Sequence, residues 1–217
     1  MTSLFSLFLV LLAVGLVSII WRLASRRQSL PCPSWLRWLV ELDNPFTQTN
    51  RAAFIVDTLE LTPGMVVLDA GCGPGRLTVP LAQRVGPDGR VVALDIQAGM
   101  LARAQAKVAA AGLTQVDFVA AALGNAQLPA DHFDRAVLVT VLGEIPDRAS
   151  ALAALFASLK PGGVLAVVEV IFDPHFQSRQ TVAQLAASAG FQESAFFGHR
   201  LAYVMHLTKP AAAQAGA

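Results

Sequence analysis

The stretch Val66–Gly75, which reads VVLDAGCGPG, decides the fold of this chain of 217 residues. Its apolar first half predicts a buried strand, and its second half predicts a glycine-rich turn. Leu77, Leu81 and Val85 follow at helical spacing. A glycine turn between a strand and a helix exposes bare backbone and the unpaired N–H groups of the helix, and both can hold a nucleotide.

A second strand is predicted directly after this helix. Arg90–Leu94 is mostly apolar and is followed by Asp95. An acidic residue at the tip of the second strand, about 20 positions after the turn, can accept hydrogen bonds from both hydroxyls of a ribose. The turn and the acid together predict an adenosine-containing cofactor, and an ordinary strand-to-helix turn is the simpler alternative.

The spacing of the glycines separates two kinds of adenosine cofactor. The dinucleotide fingerprint is Gly-x-Gly-x-x-Gly, whereas this chain has Gly71, Gly73 and Gly75, with Arg76 in place of the third dinucleotide glycine. Asp69 stands two residues before the first glycine. A carboxylate there can reach a positively charged amino-acid group but is poorly placed beside a pyrophosphate. The pattern therefore favours a cofactor with an amino-acid moiety.

These residues resemble motif I of the class I S-adenosylmethionine-dependent methyltransferases, and the resemblance extends from Thr47 to Lys209. The chain is most similar to the branch with the ubiquinone and menaquinone C-methyltransferases and several lipid methyltransferases. That branch has Gly-Asp-Ala after its third strand, where the Asp meets the adenine amino group. This chain has Asn125 there, about two residues later than the branch's spacing, and its side-chain oxygen can accept the same hydrogen bond.

The resemblance implies S-adenosylmethionine as the cofactor. The residues that it implies as cofactor contacts are Asp69, Gly71, Cys72, Gly73, Gly75, Asp95, Ile96, Asn125, Ala126 and Thr140.

The resemblance also implies an α/β fold. We expect a Rossmann-like, seven-stranded methyltransferase sheet, mostly parallel with one antiparallel edge strand, with helices on both faces and one transmembrane helix before it. The apolar patterns agree, because predicted strands alternate with predicted helices as in a parallel sheet. The predicted strands are 66–70, 90–95, 118–121, 133–139, 164–171, 191–197 and 201–208, and the later predicted helices are 98–111, 149–159 and 178–189.

The N-terminus predicts a transmembrane anchor at residues 1–22. No residue before Arg22 is charged, and Leu4–Ile20 is almost wholly apolar. About 20 such residues span a hydrocarbon core of ~30 Å. Arg26 and Arg27 add to the positive charge, and the positive-inside tendency places the domain in the cytoplasm. A cleaved signal peptide is the alternative, but the chain lacks its basic start and a clear cleavage site.

Residues 23–46 predict a juxtamembrane linker with a short amphipathic helix. Trp35 and Trp38 fall on one apolar face with Leu39 and Leu42. Two tryptophans beside a membrane span indicate seating at the bilayer interface, and packing of that face on the catalytic domain is an equal alternative. In either arrangement the helix would lie near the mouth of the cofactor site.

Charge and composition restrict the partners. The first 40 residues hold four arginines and no acid, whereas the remainder has 12 basic and 15 acidic side chains, a net charge of −3. This balance argues against a nucleic-acid partner, which requires a basic surface. The two cysteines do not predict a disulfide, and no metal-ligand cluster is found in the sequence. Residues 47–209 are predicted as the methyltransferase domain and residues 210–217 as a disordered tail.

The implied reaction leaves the catalytic residue open. The methyl group of a sulfonium is already activated, so positioning supplies much of the rate, although an acidic acceptor can also require a base. The carboxyl ends of the fourth and fifth strands face the ligand crevice. His175 and Glu144 are the candidates there, but each is as readily a loop or helix-start residue.

The anchor and the cofactor site together predict a membrane-anchored methyltransferase acting on a lipid-phase acceptor, such as a quinone precursor or a phospholipid headgroup. The anchor would raise the local concentration of that acceptor. Three alternatives stay open: methylation of a soluble small molecule or protein with the anchor used only for localisation, a dinucleotide oxidoreductase, and a non-catalytic cofactor-binding module. The sequence does not indicate an oligomeric state.

Overall fold

The computed structural model describes residues 47–211, together with the isolated residues Ser6, Leu12 and Leu16, which are helical and exposed. Nearly all of the predicted anchor, the whole predicted linker and residues 212–217 lie outside the described residues. Among the residues that are described, no helix is both long enough and apolar enough to cross a bilayer.

Strands and helices alternate along the described chain, as the sequence predicts. The helices are α1 Ala52–Thr58, α2 Thr78–Val85, α3 Ala98–Ala110, α4 Arg148–Ser158 and α5 Arg179–Ser188. The strands are β1 Val66–Ala70, β2 Arg90–Asp95, β3 Val116–Ala120, β4 Phe133–Val139, β5 Leu159–Val170, β6 Gln192–His199 and β7 Ala202–Thr208. Short 3-10 turns occupy Gln48–Asn50, Leu123–Asn125 and Leu142–Glu144.

One seven-stranded sheet has the order β3-β2-β1-β4-β5-β7-β6. The pairs among β1 to β5 are parallel, whereas β7 runs antiparallel to both β5 and β6. The predicted seven-stranded, mostly parallel sheet is therefore confirmed. The antiparallel strand is the last but one in the sheet, because β6 pairs outside it. The strand order reverses between β1 and β4, and ligands of open α/β sheets bind at such a point.

Hydrophobic clusters cover both faces of the sheet. One cluster joins the sheet to α4 and α5 through residues such as Leu155 and Val182. The other joins it to α1 and α2 through residues such as Ile55 and Leu81, and α3 packs through a small cluster around Ala104. The central strands are apolar on both faces because helices cover both, which is typical of parallel sheets.

Capping explains where the later helices begin. The Asp147 side chain accepts a hydrogen bond from the Ser150 N–H at the start of α4, and the Ser178 side chain accepts one from the Thr181 N–H at the start of α5. These are preferred N-cap residues. The observed helices accordingly lie within a residue of the bounds that their apolar spacing predicts.

Strand β5 begins earlier than predicted. The pairing with β4 shifts register between Phe133 and Arg135, so that Leu159 already pairs with β4 before the glycine turn. Gly162 has φ +80° and donates its N–H to the Lys209 carbonyl oxygen, while Lys209 donates to Gly163. The turn is thus fastened to the end of β7, a contact that the local sequence does not reveal.

Candidate cofactor site

The glycine turn after β1 depends on backbone conformations that other residues adopt with strain. Gly71, Gly73 and Gly75 have φ values of +73°, +53° and +81°. A Cβ atom at Gly71 would lie 2.5 Å from Val141 Cγ2, and one at Gly75 would lie 2.9 Å from the Ala104 backbone. Two of the three positions therefore combine a left-handed backbone with a close neighbour, which only glycine accommodates.

A cavity of about 390 Å³ opens beside this turn, at the carboxyl ends of β1, β2 and β4. Its lining is mostly apolar, with a few polar groups, as is usual for small-molecule sites. The residues that line it are Gly71, Leu94, Asp95, Ile96, Gln97, Ala121, Ala122, Leu123, Gly124, Asn125, Val141, Glu144, Ile145, Pro146 and Asp147.

Asp95 is a buried carboxylate at the edge of this cavity. It ends β2 and is 7% exposed. Its Oδ2 accepts the Gly73 N–H at 2.8 Å, and its Oδ1 accepts the Gln97 N–H at 2.8 Å. These bonds fix the carboxylate, and because each carboxylate oxygen can accept more than one hydrogen bond, two ribose hydroxyls can still donate to it.

The structure places Asp69 behind the turn and not among the lining residues. Its side chain is 3% exposed, and its Oδ2 accepts the Thr78 hydroxyl at 2.7 Å. Burial raises the pKa of Asp69 to about 6, although the bond from Thr78 and the charge of Arg76 oppose the shift. Asp69 therefore stabilises the turn through its hydrogen bond with Thr78. Arg76 donates to the Asn50 carbonyl oxygen at 2.6 Å and fastens the turn to the start of the domain.

The other predicted cofactor contacts divide into two groups. Gly71, Ile96 and Asn125 line the cavity together with Asp95. Cys72 is buried against Ala93 and α3, and burial raises the pKa of its thiol. The remaining predicted contacts that are not lining residues are Gly73, Gly75, Ala126 and Thr140.

Thr140 has an unusual backbone at the end of β4. Its φ is +55°, its N–H donates to the Val168 carbonyl oxygen at 2.9 Å, and its hydroxyl donates to the Val139 carbonyl oxygen at 2.8 Å. A non-glycine residue in this conformation stores strain, and such strain is often found at functional sites. The turn that it starts leads directly into Val141 and Glu144 of the cavity wall.

The sequence does not predict most of the wall that connects β4 to α4. Val141, Ile145, Pro146 and Asp147 line the cavity, whereas the candidates from this segment are Thr140 and Glu144, of which Glu144 is a lining residue. Asp147 caps α4 through both carboxylate oxygens, and these bonds from Ser150 lower the pKa of Asp147. The Asp-x-x-Ser spacing before a predicted helix was the signal that could have located this turn.

The two candidate catalytic residues lie on different cavities. Glu144 lines the cofactor cavity, whereas His175, which is 4% exposed, lines a neighbouring cavity. The two loops that carry them are in contact, because a Cβ atom at Gly143 would collide with the His175 carbonyl oxygen. Strand β5 also contributes Glu169, a buried acid whose pKa is raised by burial to about 8.

The residues present fit S-adenosylmethionine. Asp95 offers a fixed carboxylate for ribose hydroxyls, and Asn125 offers an amide beside an apolar slot that includes Leu123. The glycine turn leaves bare backbone at Gly71. This combination of an acidic group, an amide and apolar walls matches the adenosine half of that cofactor.

Comparisons with known proteins agree with this geometry. The family model described as "Methyltransferase domain" matches residues 67–163. The ubiquinone/menaquinone biosynthesis C-methyltransferase UbiE of Vibrio vulnificus (strain YJ016) is 36% identical over 125 residues, which are 56% of this chain and 48% of that protein. The demethylmenaquinone methyltransferase of Bacillus cytotoxicus is 39% identical over 114 residues, 51% and 47% of the two chains.

The chain thus spans about half the length of the curated relatives that it matches. Among solved structures, an S-adenosylmethionine-dependent methyltransferase of Aquifex aeolicus has a TM-score of 0.72 at 23% identity and covers 82% of this chain and 99% of its own. The [4+2]-cyclase SpnF has a TM-score of 0.65 at 17% identity, with 74% and 80% covered. The segment 67–163 is similar to a methyltransferase domain, and this similarity supports S-adenosylmethionine as the cofactor.

Proposed function

We propose that this chain is an S-adenosylmethionine-dependent methyltransferase whose acceptor is held in or at a membrane, such as a quinone precursor or a phospholipid headgroup. The observation that carries the activity is Asp95, a carboxylate fixed by two backbone N–H groups at the edge of the cofactor cavity. The quinone C-methyltransferases among the relatives support the choice of acceptor.

The contribution of the chain is mainly positioning. When bound, the cofactor supplies a methyl group that is already activated for transfer. Asp95 would accept the ribose hydroxyls, and Asn125 would accept the adenine amino group, which fixes the cofactor along the ends of β1 and β2. Holding cofactor and acceptor in line can supply about 7–11 kcal/mol of the barrier.

The apolar walls of the cavity exclude water from the reacting groups. Val141 and Ile145 come from the β4–α4 segment and line the cavity, and Val141 packs against Gly71 of the turn. Water exclusion strengthens the contact of Asp95 with its ligand, because Coulomb interactions grow as the local dielectric falls. The same walls favour an acceptor with an apolar body.

We further propose that residues 1–22 anchor the chain in a membrane, with the domain in the cytoplasm. The support is the apolar run Leu4–Ile20 and the arginines that follow it. An anchor would hold the domain at the bilayer and raise the local concentration of a lipid-phase acceptor.

Methyl-labelled S-adenosylmethionine tests the proposal when it is added to the full-length protein in its native membranes. We expect label in the organic phase, and none with Asp95→Ala. Asp117→Ala is the matched control, because Asp117 is an exposed acid on β3 that pairs with Arg90. Label only in the protein or aqueous fraction would contradict the lipid-phase acceptor. No label in any fraction, with the cofactor demonstrably bound, would contradict the activity.

A further inference from the structure

A second cavity lies on the other side of the β4–α4 segment from the cofactor cavity. It has a volume of about 460 Å³. Glu144 and Asp147 of this segment line the cofactor cavity, whereas Gly143 and Arg148 line the second one. The two cavities therefore share one wall, and a molecule in the second lies next to the cofactor site.

We propose that this second cavity, the acceptor subsite, binds an anionic oxygen group of the methyl acceptor. The identity of its ligand as a methyl acceptor rests on the proposed function. The charge of the ligand is inferred separately, from the residues that line the cavity and the charges that they carry.

Arg148 supplies the positive charge of the acceptor subsite. Its Nε donates to the Leu142 carbonyl oxygen at 3.2 Å and its Nη2 donates to the Gly143 carbonyl oxygen at 3.1 Å. These bonds hold the guanidinium against the cavity wall, and among the described residues neither of them uses Nη1, which can donate to a ligand. A guanidinium held in this way suits a carboxylate or another oxyanion.

The start of α5 adds further donors to the same cavity. Ser178 caps α5, its hydroxyl lies 2.8 Å from the Thr181 hydroxyl, and both residues line the cavity. The N-terminus of a helix carries partial positive charge. Among the described residues that line this cavity there is no Asp or Glu, so the lining favours an anion over a cation.

A buried acid stands behind this wall with one oxygen unsatisfied. Glu169 is 1% exposed, its Oε2 accepts the Gln177 N–H at 2.9 Å, and its Oε1 has no hydrogen-bond partner in the described structure. The pKa of Glu169 is raised to about 8, chiefly by burial and also by the charges of Asp173 and Glu144, while the bond from the Gln177 N–H and the charge of Arg148 oppose the shift. Glu169 is therefore mostly protonated at neutral pH and does not repel an anion in the subsite.

The wall between Glu169 and the cavity is held rigidly. Glu169 and Tyr203 are paired across β5 and β7, and the Tyr203 hydroxyl donates to the Gln177 carbonyl oxygen at 2.8 Å. The Gln177 side chain donates to the His175 carbonyl oxygen at 2.6 Å. Both backbone groups of Gln177 are thus occupied, and a wall that is ordered before binding lowers the entropic cost of binding. Phe176 packs against Tyr203 and adds an apolar surface to the subsite.

Equilibrium dialysis of the full-length protein with labelled benzoate and labelled benzamide tests the charge of the ligand. The two probes have similar shapes and differ in charge. We expect saturable binding of benzoate, about tenfold tighter than that of benzamide, because charge-assisted hydrogen bonds are the stronger ones. Arg148→Gln should remove this preference and Arg148→Lys should keep part of it. Arg90→Gln, an exposed arginine at the opposite end of the sheet, should leave the preference unchanged.

The pH dependence of benzoate affinity in Glu169→Gln separates a specific effect of Glu169 from a loss of folding. The amide keeps an oxygen for the Gln177 N–H but does not ionise. In the wild type we expect benzoate affinity to fall as the pH rises through about 8, because ionised Glu169 repels the anion. In Glu169→Gln this loss should disappear. The charged groups that act on Glu169 are Asp173, Glu144 and Arg148. Tyr203 faces Glu169 from β7, and burial and Glu169 raise the pKa of its phenol, while His175 lines the cavity itself. All of these groups are the same in both proteins.

The outcomes separate this inference from the proposed function. Equal binding of benzoate and benzamide, an unchanged preference in Arg148→Gln, or an equal loss above pH 8 in both proteins would overturn the subsite. Methyl transfer without benzoate binding refutes the subsite alone. Benzoate binding without methyl transfer refutes the proposed function alone and leaves an anion site.

Discussion

The two sides of the site are built in different ways. The side at the ends of β1 and β2 comes from a glycine turn and from Asp95, whose carboxylate accepts two backbone N–H groups. The side at the ends of β4 and β5 comes from buried polar side chains, such as Glu169 and Tyr203, which both bind Gln177. The first side follows from a recognisable sequence motif, whereas the second depends on the burial of polar groups that no motif marks.

Removal of Asp95 should have the largest effect on the first side. Asp95→Ala deletes an acceptor for the ribose and the acceptor for the Gly73 and Gln97 N–H groups. We expect the affinity for S-adenosylmethionine to fall about 100-fold or more, since a charged hydrogen-bond partner contributes about 1.5–3 kcal/mol and two hydroxyls lose it. Titration calorimetry measures this loss. An affinity within a factor of a few of the wild type would remove Asp95 from the site.

Two glycines of the turn form a matched pair for the second prediction. Gly71→Ala introduces a Cβ at 2.5 Å from Val141, whereas a Cβ at Gly73 meets no atom within 4 Å. Both carry a positive φ, which costs about 1–2 kcal/mol for alanine. Overpacking adds about 1–3 kcal/mol at Gly71 only. Urea denaturation should therefore show the larger loss for Gly71→Ala, and equal losses would contradict the close contact with Val141.

The side of the site at the ends of β4 and β5 should make the free energy of unfolding depend on pH. The pKa of Glu169 is raised from 4.5 to about 8, so the folded state holds a proton that the unfolded state releases. The wild type is then most stable below pH 4.5 with respect to this group, and it loses that stability as the pH rises through 8. Between pH 6 and 8 we expect Glu169→Gln to gain about 2 kcal/mol relative to the wild type, at about 1.4 kcal/mol per pKa unit.

Asp69, the other buried acid of the site, does not disturb this comparison. Its pKa is raised only to about 6, and it is present in both proteins. Its contribution therefore cancels, and the difference between Glu169→Gln and the wild type reports the β5 side alone. An unchanged difference between Glu169→Gln and the wild type from pH 6 to 8 would show that Glu169 is already ionised.

Removal of the Tyr203 hydroxyl should have the smallest of these effects. Tyr203→Phe leaves the Gln177 carbonyl oxygen without its donor and keeps the packing of the ring. The expected loss is about 1 kcal/mol, the usual value for one neutral hydrogen bond. Hydrogen exchange should accelerate in the loop that contains Gln177 more than in β1. Uniform acceleration over the whole domain would contradict a local role.

The sequence predicts the bounds of most helices and strands, but it does not predict which distant segments they contact. Strand β4 was predicted with its observed bounds, because Phe133–Val139 has apolar residues between clear turn signals. The start of β5 was missed, because Leu159 pairs with β4 before the glycine turn and that turn is fastened to Lys209. Periodicity reports which residues are buried along one element, and it does not report which distant strand completes a turn.

The same division holds for the site. The sequence predicts Asp95 and the glycine turn as cofactor contacts because each follows a recognisable strand pattern at a known spacing. The raised pKa of Glu169 cannot be predicted from the sequence, because it depends on burial by β7 and the β5–α5 loop. The Asp69 side chain was expected near the ligand, but its position against Thr78 depends on how α2 packs on β1.

Titration of the full-length protein with S-adenosylmethionine and, in parallel, with NADH distinguishes a methyltransferase site from a dinucleotide site. We expect saturable binding of S-adenosylmethionine and no binding of NADH, because Arg76 replaces the third glycine of the dinucleotide fingerprint. Binding of NADH without binding of S-adenosylmethionine would show that the sheet carries a dinucleotide site and that the proposed activity is wrong.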